Sequence, residues 1–352
     1  MDVNTVATIK NATSPHLLMT TGAITDPYYE GSLYIQGRTD EIAAEDHVLG
    51  ALVIEKDFDQ NGRVSDKSRN DFHLRHIEFI PEKRGFQDLN KFYTAEGSRA
   101  AKILALNLGD SHPGDTDPEV FDTLPALSKF LKPEVVTIED GFNGHSLSEH
   151  NENKAVTKSQ LVREGKLNVE EELKLASAQG AKIREFAPQA EIVMKVANHN
   201  NWVIRWLEDQ RYTKDDVNRE IGAELFLASV RGQDPLEYAF RKYESSLKDD
   251  KRFRFLKPGE NYSVGPKNRR VWLHLHGHSG VNGAKSLSLE ALRRAGGRGV
   301  IAHTHTYKRS NGAVNIGTIT KHLLRYNKDG ISNWVQSVSI VGENGEIQVL
   351  PF

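Results

Sequence analysis

The chain has 352 residues, 38% of them hydrophobic, enough to bury a large core as one large domain or two smaller ones. It holds no cysteine, which excludes disulfides, thiolate metal sites and cysteine nucleophiles and leaves oxygen and imidazole nitrogen as metal donors. The formal net charge of -2 gives no global electrostatic footprint for nucleic acid and leaves a local basic face open. No apolar run is long enough to span a bilayer, and Met1-Asp2 opens the sequence without the basic and apolar regions of a secretory signal. The expectation is a soluble, cytoplasmic protein without a membrane span.

From residue 32 to about 93, short runs rich in Val, Ile, Phe and Tyr (32–36, 50–55, 72–80) alternate with turn signals such as Asn61-Gly62. This reads as a β-rich N-terminal module over 1–98. From 101 to 305 apolar runs alternate with helical stretches, the signature of a layered α/β domain over 99–352. Strands are expected at 102–108, 134–138, 191–196, 271–275 and 299–302, each running into polar residues able to bind metal. Asn168 with Glu171, and Thr213 with Asp216, read as helix starts, and a further helix is expected after Ser288. A helical insertion spans about 202–262. Within it, Ile221, Leu225, Phe226 and Leu227 of the helix expected over 213–231 read as core or as a partner face, so a homo-oligomer contact stays open. The tail, 313–352, reads as β-hairpins, with turns at Lys328-Asp329-Gly330 and Glu343-Asn344-Gly345 between runs 323–326, 334–341 and 346–350.

Polar residues recur at the ends of the five central strands. Asp110 and His112 follow the first, Asp140 the second, Asn198-His199 the third, His276 the fourth, and His303 with His305 the fifth. In open α/β sheets ligands sit outside the carboxyl ends of the strands, so residues delivered to that edge converge on one cleft. A purely structural polar cluster would desolvate these ionisable groups without a compensating ion, which is unfavourable. His274 and His278, two residues either side of His276, read as supporting or surface residues. His145 and His150 lie in a loop after Asp140 that either stays plainly polar or reaches toward a substrate.

In order, Gly109-Asp110-Ser111-His112, Glu139-Asp140, Ala197-Asn198-His199-Asn200, His276-Gly277 and Ala302-His303-Thr304-His305 resemble the five motifs of calcineurin-like metallophosphoesterases over roughly 101–307. The resemblance implies an α/β fold with two mixed β-sheets sandwiched between helices. It also implies two divalent ions, one held by Asp110, His112, Asp140 and His305 and the other by Asp140, Asn198, His276 and His303, with Asp140 bridging. Two ions roughly 3.5–4 Å apart would activate the attacking water and neutralise charge on the phosphoryl oxygens. His199 would not be a ligand; it would contact the phosphate and protonate the leaving oxygen. Manganese is the first expectation, with magnesium, iron or zinc also compatible with mixed oxygen and nitrogen donors. Two departures stand out: alanine at 197 and 302 where the family usually has glycine, and Asn200 where an acidic residue usually follows, so His199 is oriented differently or less firmly.

Met19-Thr20-Thr21-Gly22-Ala23, Gly50-Ala51-Leu52-Val53, Asp88 to Tyr93 and the segment from Asp140 to His150 are similar to pre-early DNA-transfer nucleases of tailed bacteriophages, distant relatives of the nuclease of double-strand-break repair. That resemblance implies a phage-encoded DNase acting on host DNA in the host cytoplasm, with a phage or host protein as a further partner. Arg252 and Arg254, interleaved with Phe253 and Phe255, and Lys257, Arg269, Arg270, Lys308 and Arg309 are candidate DNA contacts; a solvated face over buried phenylalanines is equally compatible. A small-molecule or phosphoprotein phosphatase or phosphodiesterase, and a DNA-binding host-takeover adaptor, are the alternatives.

Overall fold

The computed structural model describes residues 1–6, 16–25, 47–56, 72–148, 154–325, 327–328 and 330–352. The strand expected at 32–36, the Asn61-Gly62 turn, His150, Tyr326 and Asp329 lie outside them. Before the first motif come β1 (Asp2–Val6), β2 (His16–Met19), β3 (Gly50–Glu55), β4 (His73–Ile80), β5 (Gly85–Asp88), β6 (Lys91–Thr94) and β7 (Gly97–Ala100). Next are β8 (Ile103–Asp110), α1 (Pro118–Phe121), α2 (Leu124–Leu131), β9 (Val135–Glu139), α3 (Ala155–Arg163), α4 (Val169–Phe186) and β10 (Glu191–Met194). The central part continues with α5 (Asn198–Glu208), α6 (Arg219–Val230), α7 (Pro235–Tyr243), β11 (Phe253–Phe255), β12 (Ser263–Val264) and β13 (Val271–Trp272). Last come α8 (Leu289–Arg294), β14 (Arg298–Ile301), β15 (Tyr307–Ser310), β16 (Ala313–Ile316), β17 (Ser337–Gly342) and β18 (Ile347–Pro351).

The fold is mixed α/β. One sheet runs β11-β10-β9-β8-β17-β18, its first four strands parallel and its last two antiparallel. A second runs β12-β13-β14-β16-β15-β1-β2 and is also mixed. Strands β8 and β9 are apolar without alternation because both faces are covered. On one face Leu106, Leu108, Val136, Ile138 and Ile192 pack with Leu173 and Ile183 of α4, Val203 of α5 and Phe240 of α7. On the other, Ala105, Val135, Val193 and Val341 meet Val300, Tyr307, Val314 and Ile316 of the second sheet. Leu289 and Leu292 of α8 cover Ile301 and Ala313 on that sheet's far side. The layers are therefore helices, sheet, sheet, helix, with apolar burial on each internal face.

Local signals set the helix starts. Asn168 Oδ1 accepts from Glu171 N at 3.1 Å, and Ser288 Oγ from Ala291 N at 3.1 Å. The start expected at Thr213 is corrected: residues Arg211–Lys214 form only a short 3-10 turn, and α6 begins at Arg219. Asp215 is the reason, since its carboxylate accepts from the backbone amides of Val217 and Asn218, both at 3.1 Å, and holds a turn there. In α6, Ile221 and Leu225 are buried while Phe226 and Leu227 are exposed.

The strands of the N-terminal region fall in two different sheets. Strands β3 to β7 form a separate antiparallel meander, but β1 and β2 extend the second core sheet through β15. The meander is tied to the tail by Gln348, which donates to the carbonyls of His76 and Gln87 and accepts from Leu89 N. The helical insertion closes as a strand, because β11 pairs in parallel with β10 and sends Phe253 and Phe255 against Phe240. In the tail, residues 323–325 are not a strand, whereas the Glu343 to Gly345 turn joins β17 and β18 as expected. The strand expected at 271–275 shortens to Val271–Trp272.

Candidate metal centre

The strand ends deliver the five motifs to one place. Gly109 has no room for a side chain: a Cβ there would lie 2.8 Å from Thr318 Cα and 2.9 Å from the carbonyls of Gly317 and Ser337. This close approach locks the end of β8. Thr318 Oγ1 donates to the Asp110 carbonyl at 2.7 Å, and Ile319 N donates to it at 3.0 Å. The ends of β8 and β9 are then cross-linked, with Ser111 N donating to the Glu139 carbonyl and His112 N to that of Asp140, both at 3.0 Å.

His112, Asp140 and His305 adopt left-handed backbone, with φ of 39°, 39° and 57°. Such conformations cost about 1–3 kcal/mol each for residues with a side chain and persist where the surroundings impose them. Here they turn three donor side chains back to a common point. His305 Nε2 stands 2.9 Å from Asp110 Oδ2 and 3.3 Å from His112 Nε2. His276 Nε2 lies 2.9 Å from Asn198 Oδ1 and 3.4 Å from Asp140 Oδ2, while its Nδ1 lies 3.0 Å from Glu139 Oε2. Asp140 Oδ2 is 3.7 Å from His112 Nε2, so Asp140 faces both the His276 and the His112 sides.

Asp110, Asp140 and His276 are at most 1% exposed. Both Asp110 oxygens are buried without a well-formed hydrogen bond; their neighbours are the imidazoles of His305, 2.9 Å from Oδ2, and His276, 3.4 Å from Oδ1. Two bare carboxylate oxygens in the interior are unfavourable unless a cation faces them. The donor set is the mixed carboxylate, amide and imidazole set that divalent ions take. These buried groups could therefore hold a metal ion, with Asp110, His112 and His305 as one set and Asp110, Glu139 and His276 as another. The buried carboxylates draw positive charge to the site. Burial works against charge on His276, yet Asp110 and Asp140 hold its imidazole well above its ordinary value. Burial and the neighbouring His199 push His112 down to about 3, leaving it a neutral donor.

His199 N donates to Asp140 Oδ1 at 3.2 Å, and the His199 ring is within reach of His112 and Asp140. Its Nδ1–H donates to the Asn143 carbonyl at 2.5 Å and its ring stacks on Trp202 at 3.9 Å, so Nε2 is the nitrogen left for chemistry. Asn200, at the position where an acidic residue was expected to orient His199, instead donates to the Lys195 carbonyl at 3.0 Å. His112, Asp140, Asn198, His199, His303 and His305 line an open cleft of about 730 Å³, with Trp202 and Trp334 on its walls and the exposed Lys154 and Lys328 at its rim. His303 reaches the site through its ring, 5.1 Å from that of His276.

The candidate DNA contacts are scattered, and their surroundings differ. Arg309 is 3% exposed and donates to the Ile347 carbonyl inside the core, because β15 sits between two strands and turns this position inward. Arg254 is paired with Glu191 and Glu260, and Arg269 with Glu78 and the Asn344 carbonyl. All three are engaged by partners within the protein. Arg252, Lys257, Arg270 and Lys308 are exposed, with Arg270 donating to Ser263 Oγ. None of the seven lines the cleft.

His274 bonds to the backbone of Tyr262, and burial pushes His278, whose ring lies 5.4 Å from that of His276, down to about 4. His145 pairs with Asp115 at 2.9 Å on the cleft wall. Sequence reasoning assigned no role to Glu139, Lys195, Asn143 or Trp202. A signal for two of them existed: Glu139 directly precedes Asp140, and Lys195 is the one cation in the apolar run that leads to Asn198.

No helix among the described residues is long and apolar enough to cross a membrane. Comparison of the chain with protein-family models, with curated proteins and with solved structures finds no match to any of them.

Proposed function

We propose that this chain is a divalent-metal-dependent phosphoesterase that hydrolyses phosphodiester bonds, with DNA as its substrate. The observation that carries the reading is the pair of buried Asp110 oxygens without a well-formed hydrogen bond, facing His276 and His305, beside Asp140 and Asn198. Asp110, His112, Asp140 and His305 would hold one ion, and Asp140, Asn198, His276 and His303 the other, manganese being the first candidate. Bound ions would supply Lewis-acid activation of water and neutralise phosphoryl charge.

The chain's own residues do the rest. His199, held by the Asn143 carbonyl and the Trp202 ring, presents Nε2 to the cleft and moves a proton at the leaving oxygen. Trp202 and Trp334 give flat apolar walls on which a base can stack, and Lys154 and Lys328 give positive charge at the rim for a phosphate backbone. The motif resemblance adds the expectation of a phage nuclease working in a host cytoplasm. The alternative of a small phosphoester substrate draws support from the internal pairing of Arg254, Arg269 and Arg309, which removes much of the expected basic track.

The deciding experiment incubates linear DNA, circular DNA and a small chromogenic phosphodiester with the protein in manganese, magnesium, zinc or chelator, comparing wild type with His199→Ala. Metal-dependent DNA cleavage lost in the variant supports the proposal. Cleavage of the small ester alone rejects DNA, and no hydrolysis with any metal rejects the enzyme.

A further inference from the structure

Behind the centre lies an ion pair with no solvent contact. Lys195 Nζ stands 2.6 Å from Glu139 Oε1, and both side chains are 0% exposed. The ammonium also donates to the carbonyls of Leu275 at 3.3 Å and Val300 at 3.1 Å, so its three hydrogens are all used. Leu275 precedes His276, and Val300 lies on β14, which leads to His303. One side chain at the end of β10 therefore joins β9, the segment before His276 and β14, the elements that carry Asp140, His276 and His303.

Burying an ion pair is a poor way to stabilise a core, since apolar residues of the same volume serve as well or better. The position of the second Glu139 oxygen gives the pair a use. Oε2 lies 3.0 Å from His276 Nδ1 while the Lys195 ammonium occupies Oε1, so Oε2 is placed as the acceptor of the Nδ1 hydrogen. In the neutral ring, the form that can bind a metal, the nitrogen left with a lone pair is Nε2, and Nε2 is the atom beside Asn198 Oδ1 and Asp140 Oδ2. Glu139 does not itself need to be a ligand: one oxygen is held by Lys195 and the other by His276.

We propose that Glu139 and Lys195 form a positioning pair that selects the His276 tautomer and holds its Nε2 in place for the ion shared with Asp140 and Asn198. This rests on the two-ion reading above. Residues that hold a metal-binding imidazole by its far nitrogen typically change metal affinity 10- to 100-fold when removed, which sets the expected size of the effect.

The test compares two double variants that both discharge the core, Glu139→Gln with Lys195→Met and Glu139→Leu with Lys195→Met. They differ in whether an acceptor remains for Nδ1–H. Manganese binding is read by calorimetry and electron paramagnetic resonance, and folding by circular dichroism in chelator. The glutamine pair should keep two ions, and the leucine pair should keep one and bind the second about 10- to 100-fold more weakly. Equal binding of two ions by both variants overturns the proposal. If neither variant folds, nitrogen-15 NMR of zinc-loaded wild type decides: the His276 hydrogen on Nδ1 supports the proposal, and on Nε2 overturns it. Wild type that binds no ion rejects the two-ion reading itself, a result distinct from equal binding by the variants.

Discussion

The Asn143 carbonyl oxygen lies 2.5 Å from His199 Nδ1, and this one contact sets which nitrogen of the ring is left for proton transfer. Trp202 stacks against the same ring, so its plane is fixed as well as its tautomer. On the reading proposed above, His199→Ala should lower kcat by about 10²–10⁴-fold, the usual contribution of a positioned acid, with manganese binding unchanged. Parallel loss of a bound ion in calorimetry would instead make His199 a ligand with His112 and Asp140. Trp202→Ala, which frees the ring without removing it, should show a smaller fall in kcat.

Occupancy of the centre should appear in stability. A ligand at 100 times its Kd stabilises the folded chain by about 2.7 kcal/mol, so manganese should raise the melting temperature and a chelator should reverse it. Asp110→Asn and Asp140→Asn should fold yet lose most of that rise. A rise of full size in both variants would place the ions elsewhere.

Glu78 supplies a pH dependence far from the metal residues. Burial opposes its charge, but Arg298, Arg269 and Arg309 draw its carboxyl down from 4.5 to about 2. Because the folded value lies below the unfolded one, the stabilisation is fully present above about 4.5 and is lost as pH falls toward about 2. Unfolding followed in chelator should therefore show an acid limb in that window, flattened in Glu78→Gln. That variant should also cost about 3–5 kcal/mol at neutral pH, since it leaves three guanidiniums facing a neutral amide.

The cations at the cleft rim and those in the core should separate cleanly. Lys154→Glu and Lys328→Glu should weaken binding of DNA of any sequence, and replacing each lysine should lower the salt slope by about 1. Arg309→Ala should instead lower the melting temperature and leave the salt slope of the folded fraction unchanged, because its guanidinium bonds to the Ile347 carbonyl inside the protein. Equal DNA phenotypes in the two sets would contradict the placement of the substrate along the rim.

Much of the site is legible in the sequence. The runs ending at Asp110, Asp140, Asn198 and His303 are apolar stretches of strand length followed at once by residues that bind metal, and β8, β9, β10 and β14 form within a residue or two of them. Asn168 and Ser288 start helices because a cap is a contact over three residues. The misreading at Thr213 is local too: the competing Asp215 turn lies two residues away.

Hydrophobic spacing, caps and motif order thus determined by themselves the α/β layering, the helix starts at Asn168 and Ser288, and the set of residues gathered at the strand ends. Other features depended on partners distant in the chain. Pairing of β1 with β15 across some three hundred residues, burial of Arg309, and neutralisation of Arg254 by Glu191 and of Arg269 by Glu78 leave no periodic trace in sequence. The same is true of the Lys195–Glu139 pair behind His276. A charge is catalytic, structural or solvated according to what shares its desolvated volume, and only packing of the two sheets decides that.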